Sequence, residues 1–354
     1  MSFEIILPFL RPIAPYLVDP EVSEIMVNPG GAVFIERHGR LEAMDGAHVD
    51  ERNLQVAVRN IARLLGNDIS EEQPILDARL PDGSRVAAVM PPCSLHGTAL
   101  TIRKFRPAYF TLEELVTTGT VSDSMAAALH TAIARRHIIL ISGGTGTGKT
   151  TLLNALAARL PHDERVVVVE ETAELQIRVP NVVRLEERRA QRELAAVTMR
   201  DLLRATLRHR PDRILVGEVR GGEAYDLLQA LNTGHAGTLC TIHASSASQA
   251  LARLTSCVLQ AGVDVPYAAV RHQIGEAVQV VAHLTRTGGH RRVEQLLHVH
   301  RYIPDDDGYE VAPARQPESQ SPANSSSNDG NELRQRRRIT RYRRHHQRLD
   351  SSTR

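Results

Sequence analysis

Gly143-Gly144-Thr145-Gly146-Thr147-Gly148-Lys149-Thr150-Thr151 has the spacing G-x-x-x-x-G-K-[ST]. Its four glycines leave backbone N–H groups bare, so the loop can wrap a polyphosphate. Lys149 adds a compact point charge for the outer phosphates, and the Thr150 hydroxyl suits a Mg²⁺ ligand. The composition sharpens this reading, because of 43 basic residues only two are lysine, Lys104 and Lys149. A chain that uses arginine almost everywhere keeps lysine where a planar fork is the wrong shape.

Acids follow at telling positions. Ile214-Leu215-Val216 leads into Gly217-Glu218-Val219-Arg220, an apolar run ending in a carboxylate about 70 residues after the loop. In phosphate-loop sheets that position faces Mg²⁺ and the attacking water. Glu170-Glu171 closes an earlier apolar run, Val166 to Val169, and Glu174 follows. Such carboxylates can orient metal-bound water or act as general base. Strand side chains alternate, so Glu170 and Glu171 cannot both face the nucleotide while the strand continues, and Glu170 is favoured. Whether Glu170 or Glu218 is the base stays open in the sequence. His243 ends a further apolar run and could sense the outermost phosphate or couple it to a neighbouring subunit. No Cys or carboxylate sits at ligand spacing from it, so no metal is expected there. Arg79, Arg85, Arg103 and Arg106 cluster earlier in the chain, where an arginine could reach the charge developing on the phosphate.

These groups need a sheet to hold them. Residues 137–142 are apolar and β-branched, and Leu152, Leu153, Leu156 and Leu160 recur afterwards at helical spacing. Strand, glycine loop and helix therefore stand in the order that points a helix N-terminus at phosphate. Strands are expected at 137–142, 166–170, 213–218 and 238–243, and Val166 to Val169 and Ile214 to Val216 are apolar on both faces as in a helix-covered parallel sheet. Residues 1–110 read as a separate α+β unit. Its signs are a turn at Asn28-Pro29-Gly30-Gly31, a helical face of Leu54, Val58, Ile61, Leu64 and Leu65, and strands around Val86–Val89 and Ala99–Ile102. Residues 111–136 form an approach segment with a helix capped by Ser122 or Asp123. Residues 137–303 form the nucleotide domain. Residues 304–354 are expected to be a low-complexity tail with an arginine cluster at 334–348.

Composition sets the outer limits. The chain has 354 residues, 42% hydrophobic and 3% aromatic with no Trp, so its cores rest on Leu, Val, Ile and Ala. Three cysteines fit a reducing compartment and cannot build a four-cysteine zinc module. No apolar run approaches the ~18 residues a membrane helix requires, and the prolines and missing basic region at the N-terminus make a poor signal peptide. Residues 316–354 carry nine arginines against four acids, so the formal +2 of the whole chain leaves the body acidic. Nucleic acid is therefore not expected as a partner of the body, whereas the tail could meet anionic lipid or nucleic acid.

Together these blocks resemble the secretion ATPase superfamily of type II and type IV secretion, conjugation and type IV pili. Val169-Glu170-Glu171-Thr172-Ala173-Glu174-Leu175 resembles the acidic box, with Glu-Glu where the family usually has Glu-Asp. Val216-Gly217-Glu218-Val219-Arg220 resembles the Walker B box and Thr241-Ile242-His243-Ala244 the histidine box. Earlier blocks, Glu24-Ile25-Met26-Val27-Asn28, residues 77–86 and Ile102-Arg103-Lys104-Phe105, are similar to tight-adherence pilus and conjugal-transfer ATPases. The resemblance covers about residues 15–303.

It implies an α/β fold, with a RecA-like phosphate-loop domain behind a smaller PAS-like α+β domain. It also implies an ATP- and Mg²⁺-dependent hydrolase, working as a homohexamer on the cytoplasmic face of the inner membrane with secretion or pilus platform proteins. Residues 143–151 would hold the nucleotide, with Thr150, Glu170 and Glu218 at the Mg²⁺. Glu170 and Glu218 would polarise water, Arg85 and Arg103 would supply charge, and Arg220 and His243 would couple phosphate to domain movement about a hinge near residues 107–119. Lys104 is expected to meet the loop across the nucleotide. Alternatives are a small-molecule kinase, which would leave the acidic and histidine boxes without a role, a nucleic-acid-translocating ATPase, and a non-hydrolysing scaffold, which intact Lys149, Glu170 and Glu218 oppose.

Overall fold

Two sheets form in the computed structural model, which describes residues 8–105, 110–188, 190 and 194–314. The first holds β1 (Val22–Val27), β2 (Ala32–Arg37), β3 (Arg40–His48), β4 (Ile75–Arg79), β5 (Arg85–Val89) and β6 (Ala99–Arg103), in the antiparallel order β3-β2-β1-β6-β5-β4. The turn expected between β1 and β2 forms with Gly30 and Gly31 at φ +85° and +86°, a region that favours glycine. Helix α1 (Ala14–Val18) and helix α2 (Glu51–Leu64) join the core of this sheet. Asp50 caps α2, its carboxylate accepting from the Arg52 and Asn53 N–H groups at 3.0 and 3.2 Å. Leu54, Val58 and Ile61 turn inward as their spacing predicts, but Leu64, expected on that face, is exposed in the last turn.

Lys104 does not face the phosphate loop. Its Nζ donates to the carbonyls of Asp19 at 2.6 Å and Tyr16 at 3.3 Å. These lie at the end of α1, where unpaired carbonyls attract a cation. The second rare lysine is therefore a clamp within the first sheet.

The second sheet has β7 (Ile139–Gly143), β8 (Val166–Glu170), β9 (Val182–Glu186), β10 (Arg213–Val219), β11 (Leu239–His243), β12 (Val280–Thr287), β13 (His290–Ile303) and β14 (Gly308–Pro313). Their order is β14-β13-β12-β7-β11-β10-β8-β9. From β12 to β9 the pairings are parallel, and β13 and β14 extend the sheet antiparallel. Helices α3 (Leu112–Thr117), α4 (Asp123–Ala134) and α5 (Lys149–Ala157) cover one face, sharing a core with Ile139, Ile141, Val166 and Val168. Helices α6 (Met199–Thr206), α7 (Glu223–Asn232), α8 (Ala247–Leu259) and α9 (Tyr267–Ala277) cover the other, against Leu140, Val167 and Val169. Alternate residues of one strand thus enter two cores, which makes these strands apolar throughout.

One expected boundary shifts and another segment gains definition. The approach segment is a pair of capped helices packed into the sheet's core, Thr111 capping α3 and Ser122 capping α4. The tail does not begin at 304, because β14 pairs with β13 and the Ala314 N–H bonds the Leu296 carbonyl at 2.9 Å. Residues from 315 onward, with the arginine cluster, lie outside the described residues, as do Arg106 and the start of the expected hinge at Pro107.

One buried ion pair braces the sheet. Arg213 is 1% exposed, pairs with Glu164 and donates from Nη2 to the Ile133 carbonyl at 3.1 Å. Its guanidinium fills the space where a Cβ on Gly237 would lie, 2.6 Å from Nη1. Glu164→Ala would strand this charge, so denaturant unfolding should show a loss of ~3–5 kcal/mol. A loss below about 1 kcal/mol, the value of an exposed pair, would contradict the bracing role.

Candidate nucleotide site

Parallel pairing brings the ends of β7, β11, β10 and β8 to one edge. Gly143 lies beside His243, and Val216 beside Val169, so Glu218 and Glu170 emerge together. Gly146 and Gly148 have φ +71° and +98°, and Gly148 stands immediately before α5. These angles turn the loop's N–H groups toward the space in front of the helix.

Lys149 is 8% exposed, and its Nζ donates to the Gly143 and Gly144 carbonyls at 3.1 and 3.0 Å. His243 Nε2 lies 3.3 Å from the same Nζ and 2.7 Å from Glu218 Oε1. One imidazole nitrogen cannot accept from lysine and donate to carboxylate at once. Only the lysine contact has hydrogen-bond geometry, because Glu218 Oε1 is left without a hydrogen-bond partner, so Nε2 accepts from Lys149 and the ring proton sits on Nδ1. Burial lowers the His243 pKa, Glu218 opposes, and Lys149 and Arg220 add to the lowering, so the ring is neutral at neutral pH. Burial likewise lowers the Lys149 pKa, against the pull of Glu218.

Glu218 Oε2 accepts from Arg220 Nη2 at 2.9 Å, and Arg220 Nη1 pairs with Glu171. Glu170 is 2% exposed, its Oε1 accepting the Glu174 and Leu175 N–H groups, both at 2.8 Å. Its Oε2 lies 3.5 Å from Arg184 Nη2. A Cβ on Gly217 would stand 3.0 Å from Glu170 Cγ, so the glycine before Glu218 admits the neighbouring carboxylate. Burial raises the Glu170 pKa, against those two amides and Arg184.

Glu170, Glu171, Glu218, Arg220, Thr150 and Arg85 line one small cavity of about 50 Å³. Arg85 crosses from the first sheet, its Nη1 3.6 Å from Glu174 Oε1. Arg103 is not brought there. It sits opposite Arg85 in the β5–β6 register but pairs with Glu24 at 2.9 Å, and Arg79 pairs with Glu186 at 3.3 Å. A larger cleft of about 690 Å³ runs beside β4, with Asp68, Glu72, Asp77, Glu186 and Glu187 among its lining. That cleft also holds Arg79, Arg85 and Arg188 but no residue of the glycine loop, whereas Thr150 of the loop lines the small cavity.

The donor set fits Mg²⁺. The Thr150 hydroxyl and two carboxylates are hard oxygen ligands, and Glu218 Oε1 is buried without a hydrogen bond of regular geometry. Sequence reasoning missed Arg184, whose only signal is a charge at an alternate position of a short valine-rich strand. It also missed Arg286 and Arg291, which the Gly288-Gly289 turn between two alternating runs could have placed beside the loop.

A family model described as type II/IV secretion system protein matches residues 10–348, running past residue 303 into the tail. The conjugal transfer protein TrbB of Rhizobium radiobacter is 39% identical over 290 residues, spanning 81% of this chain and 86% of its own. The type IV secretion system protein VirB11 of Brucella suis biovar 1 is 36% identical over 304 residues, 78% of this chain and 84% of its own. Among solved structures, the Legionella pneumophila ATPase DotB superposes with a TM-score of 0.58 at 21% identity, over 84% of this chain and 81% of that one, a likeness of fold.

Proposed function

The chain belongs to the type II/IV secretion system protein family, and we propose that it is an ATP-hydrolysing motor of a type IV-like secretion, conjugal-transfer or pilus machine. The observation that carries this reading is the relay from Lys149 through His243 to Glu218 and on through Arg220 to Glu171. It ties the phosphate anchor to the strand-end acids, as a motor that converts phosphate state into movement requires.

The chain's own groups have distinct tasks. The amides of residues 144–149 and Lys149 hold the phosphates. Glu170, kept basic by burial, takes a proton from the attacking water. Arg85, arriving from the first sheet, offsets charge on the leaving phosphate and joins the two sheets across the site. His243 and Arg220 change partners when Lys149 leaves the Gly143 and Gly144 carbonyls for phosphate. Thr150 and Glu218 would hold Mg²⁺, which supplies charge neutralisation between phosphate oxygens. Arg103 would act only by supporting the Arg85 strand.

The family resemblance supports a homohexamer on the inner face of the inner membrane, contacting secretion or pilus platform proteins. Among the described residues no helix is long and apolar enough to cross a membrane.

Glu218→Gln tests the reading. It keeps shape and hydrogen-bonding reach but removes the charge, so ATP binding should persist while phosphate release falls about 10²-fold. Unchanged release would remove Glu218 from the chemistry.

A further inference from the structure

Arg286 and Arg291 stand opposite one another where β12 meets β13, joined through Gly288 and Gly289 at φ +59° and +85°. Both are exposed, yet both lie against the phosphate loop. A Cβ built on Gly146 would be 3.6 Å from Arg286 Nη1, and one on Gly148 would be 3.4 Å from Arg291 Cδ. The Arg286 guanidinium also reaches the β2–β3 turn, where a Cβ on Gly39 would lie 2.5 Å from Nη2.

Arg85, Arg184 and Arg220, on the other flank of the loop, each face a carboxylate. Arg286 and Arg291 make no hydrogen bond or ion pair among the described residues. Like charges directly opposite on paired strands are unfavourable, and an anion between them offsets the repulsion. The sheet order fixes which flank this is, since β12 adjoins β7 on the side away from β11, β10 and β8. The pair therefore lies away from the water-activating carboxylates.

We propose that Arg286 and Arg291 form a second clamp on the nucleotide, gripping the α- and β-phosphate oxygens from the side of the loop opposite Glu170 and Glu218. The loop amides they flank cradle those same phosphates, and a guanidinium fork matches phosphate oxygens. This inference rests on the nucleotide reading of the loop and adds its missing wall. Because the clamp holds phosphates that ADP retains, it acts on ADP and ATP alike, which the carboxylates do not.

Calorimetric titration of the full chain with Mg-ADP and a slowly hydrolysed Mg-ATP analogue tests it. Arg286→Ala and Arg291→Ala should each weaken both ligands roughly tenfold, the effect of a charge-assisted hydrogen bond. Arg292→Ala changes the adjacent residue, which points to the other face of the strand, and should leave affinity unchanged. Melting curves without nucleotide should overlay, since the hairpin tip is exposed. If the Arg286 and Arg291 variants bind Mg-ADP within twofold of the unaltered chain while Lys149→Ala loses it, the clamp is overturned and the nucleotide reading stands. Equal weakening by Arg292→Ala would reduce the pair to a diffuse positive field and overturn the clamp as well. If Lys149→Ala also binds normally, the nucleotide reading itself fails.

Discussion

Glu170→Gln is expected to lower turnover at saturating Mg-ATP by roughly 10²–10⁴-fold, the range for loss of a general base, while raising the melting temperature of the nucleotide-free chain at about pH 8. The two effects share one cause. Burial holds the Glu170 carboxyl above the usual carboxylate range although two backbone amides and Arg184 pull the other way. A group raised in the folded state contributes stability that is present below its unfolded value and lost as pH rises through the folded value. Above that window the ionised side chain is a burden to the fold. Glutamine keeps the oxygen that accepts from the Glu174 and Leu175 amides and removes the charge. The gain should therefore be largest at about pH 8 and shrink toward about pH 5. Thermal melts and steady-state phosphate release on the same preparations read both effects. Lost activity accompanied by a lower melting temperature would mark Glu170 as structural.

Lys149→Ala should abolish turnover, a loss above about 10³-fold, with the fold intact. Phosphoryl transfer leaves the protein little to do beyond positioning and charge stabilisation, and Lys149 is the only cation that the loop itself supplies. The substitution removes the Nζ bonds to the Gly143 and Gly144 carbonyls but leaves the loop its glycines at positive φ and the Thr147 hydroxyl bonding the Gly144 carbonyl at 2.9 Å. Lys149→Arg should fail nearly as badly. The cage formed by the Gly143 and Gly144 carbonyls and His243 fits an ammonium, and a planar fork would clash with it. Circular dichroism and melting curves check the fold, and nucleotide titration checks the site. Near-normal turnover in Lys149→Arg would show that charge alone suffices.

The parts of the chain legible in sequence are those with one physical cause. The strand at 137–142, the glycine loop and the leucines of α5 form a local unit, so their order predicted this strand–loop–helix turn directly. Val166 to Val169 and Ile214 to Val216 are apolar on both faces because helices cover both, and that pattern needs no partner to be read. β9 escaped because charges at alternate positions break up its short run, and β12 to β14 because a charged hairpin resembles a solvated loop. Side-chain destinations were less legible still. Glu170 and Glu171 are neighbours with opposite surroundings, as strand alternation requires, and only the packing shows that Glu170 is the one enclosed. Arg85 and Arg103 look equivalent in sequence. One strand's offset brings Arg85 to Glu174 and leaves Arg103 with Glu24. Rarity and a place in the Ile102-Arg103-Lys104 block make Lys104 look like a partner of Lys149, and geometry assigns it to the end of α1.

The central claim is that residues 143–151, Glu170 and Glu218 form an ATP-hydrolysing site anchored by Lys149. Phosphate release from Mg-ATP, measured side by side on the full chain and its Lys149→Ala variant purified identically, tests it most directly. Sustained release is expected from the unaltered chain and background release from the variant. Equal release from both, or none from either under conditions where the unaltered chain binds Mg-ATP, would contradict it.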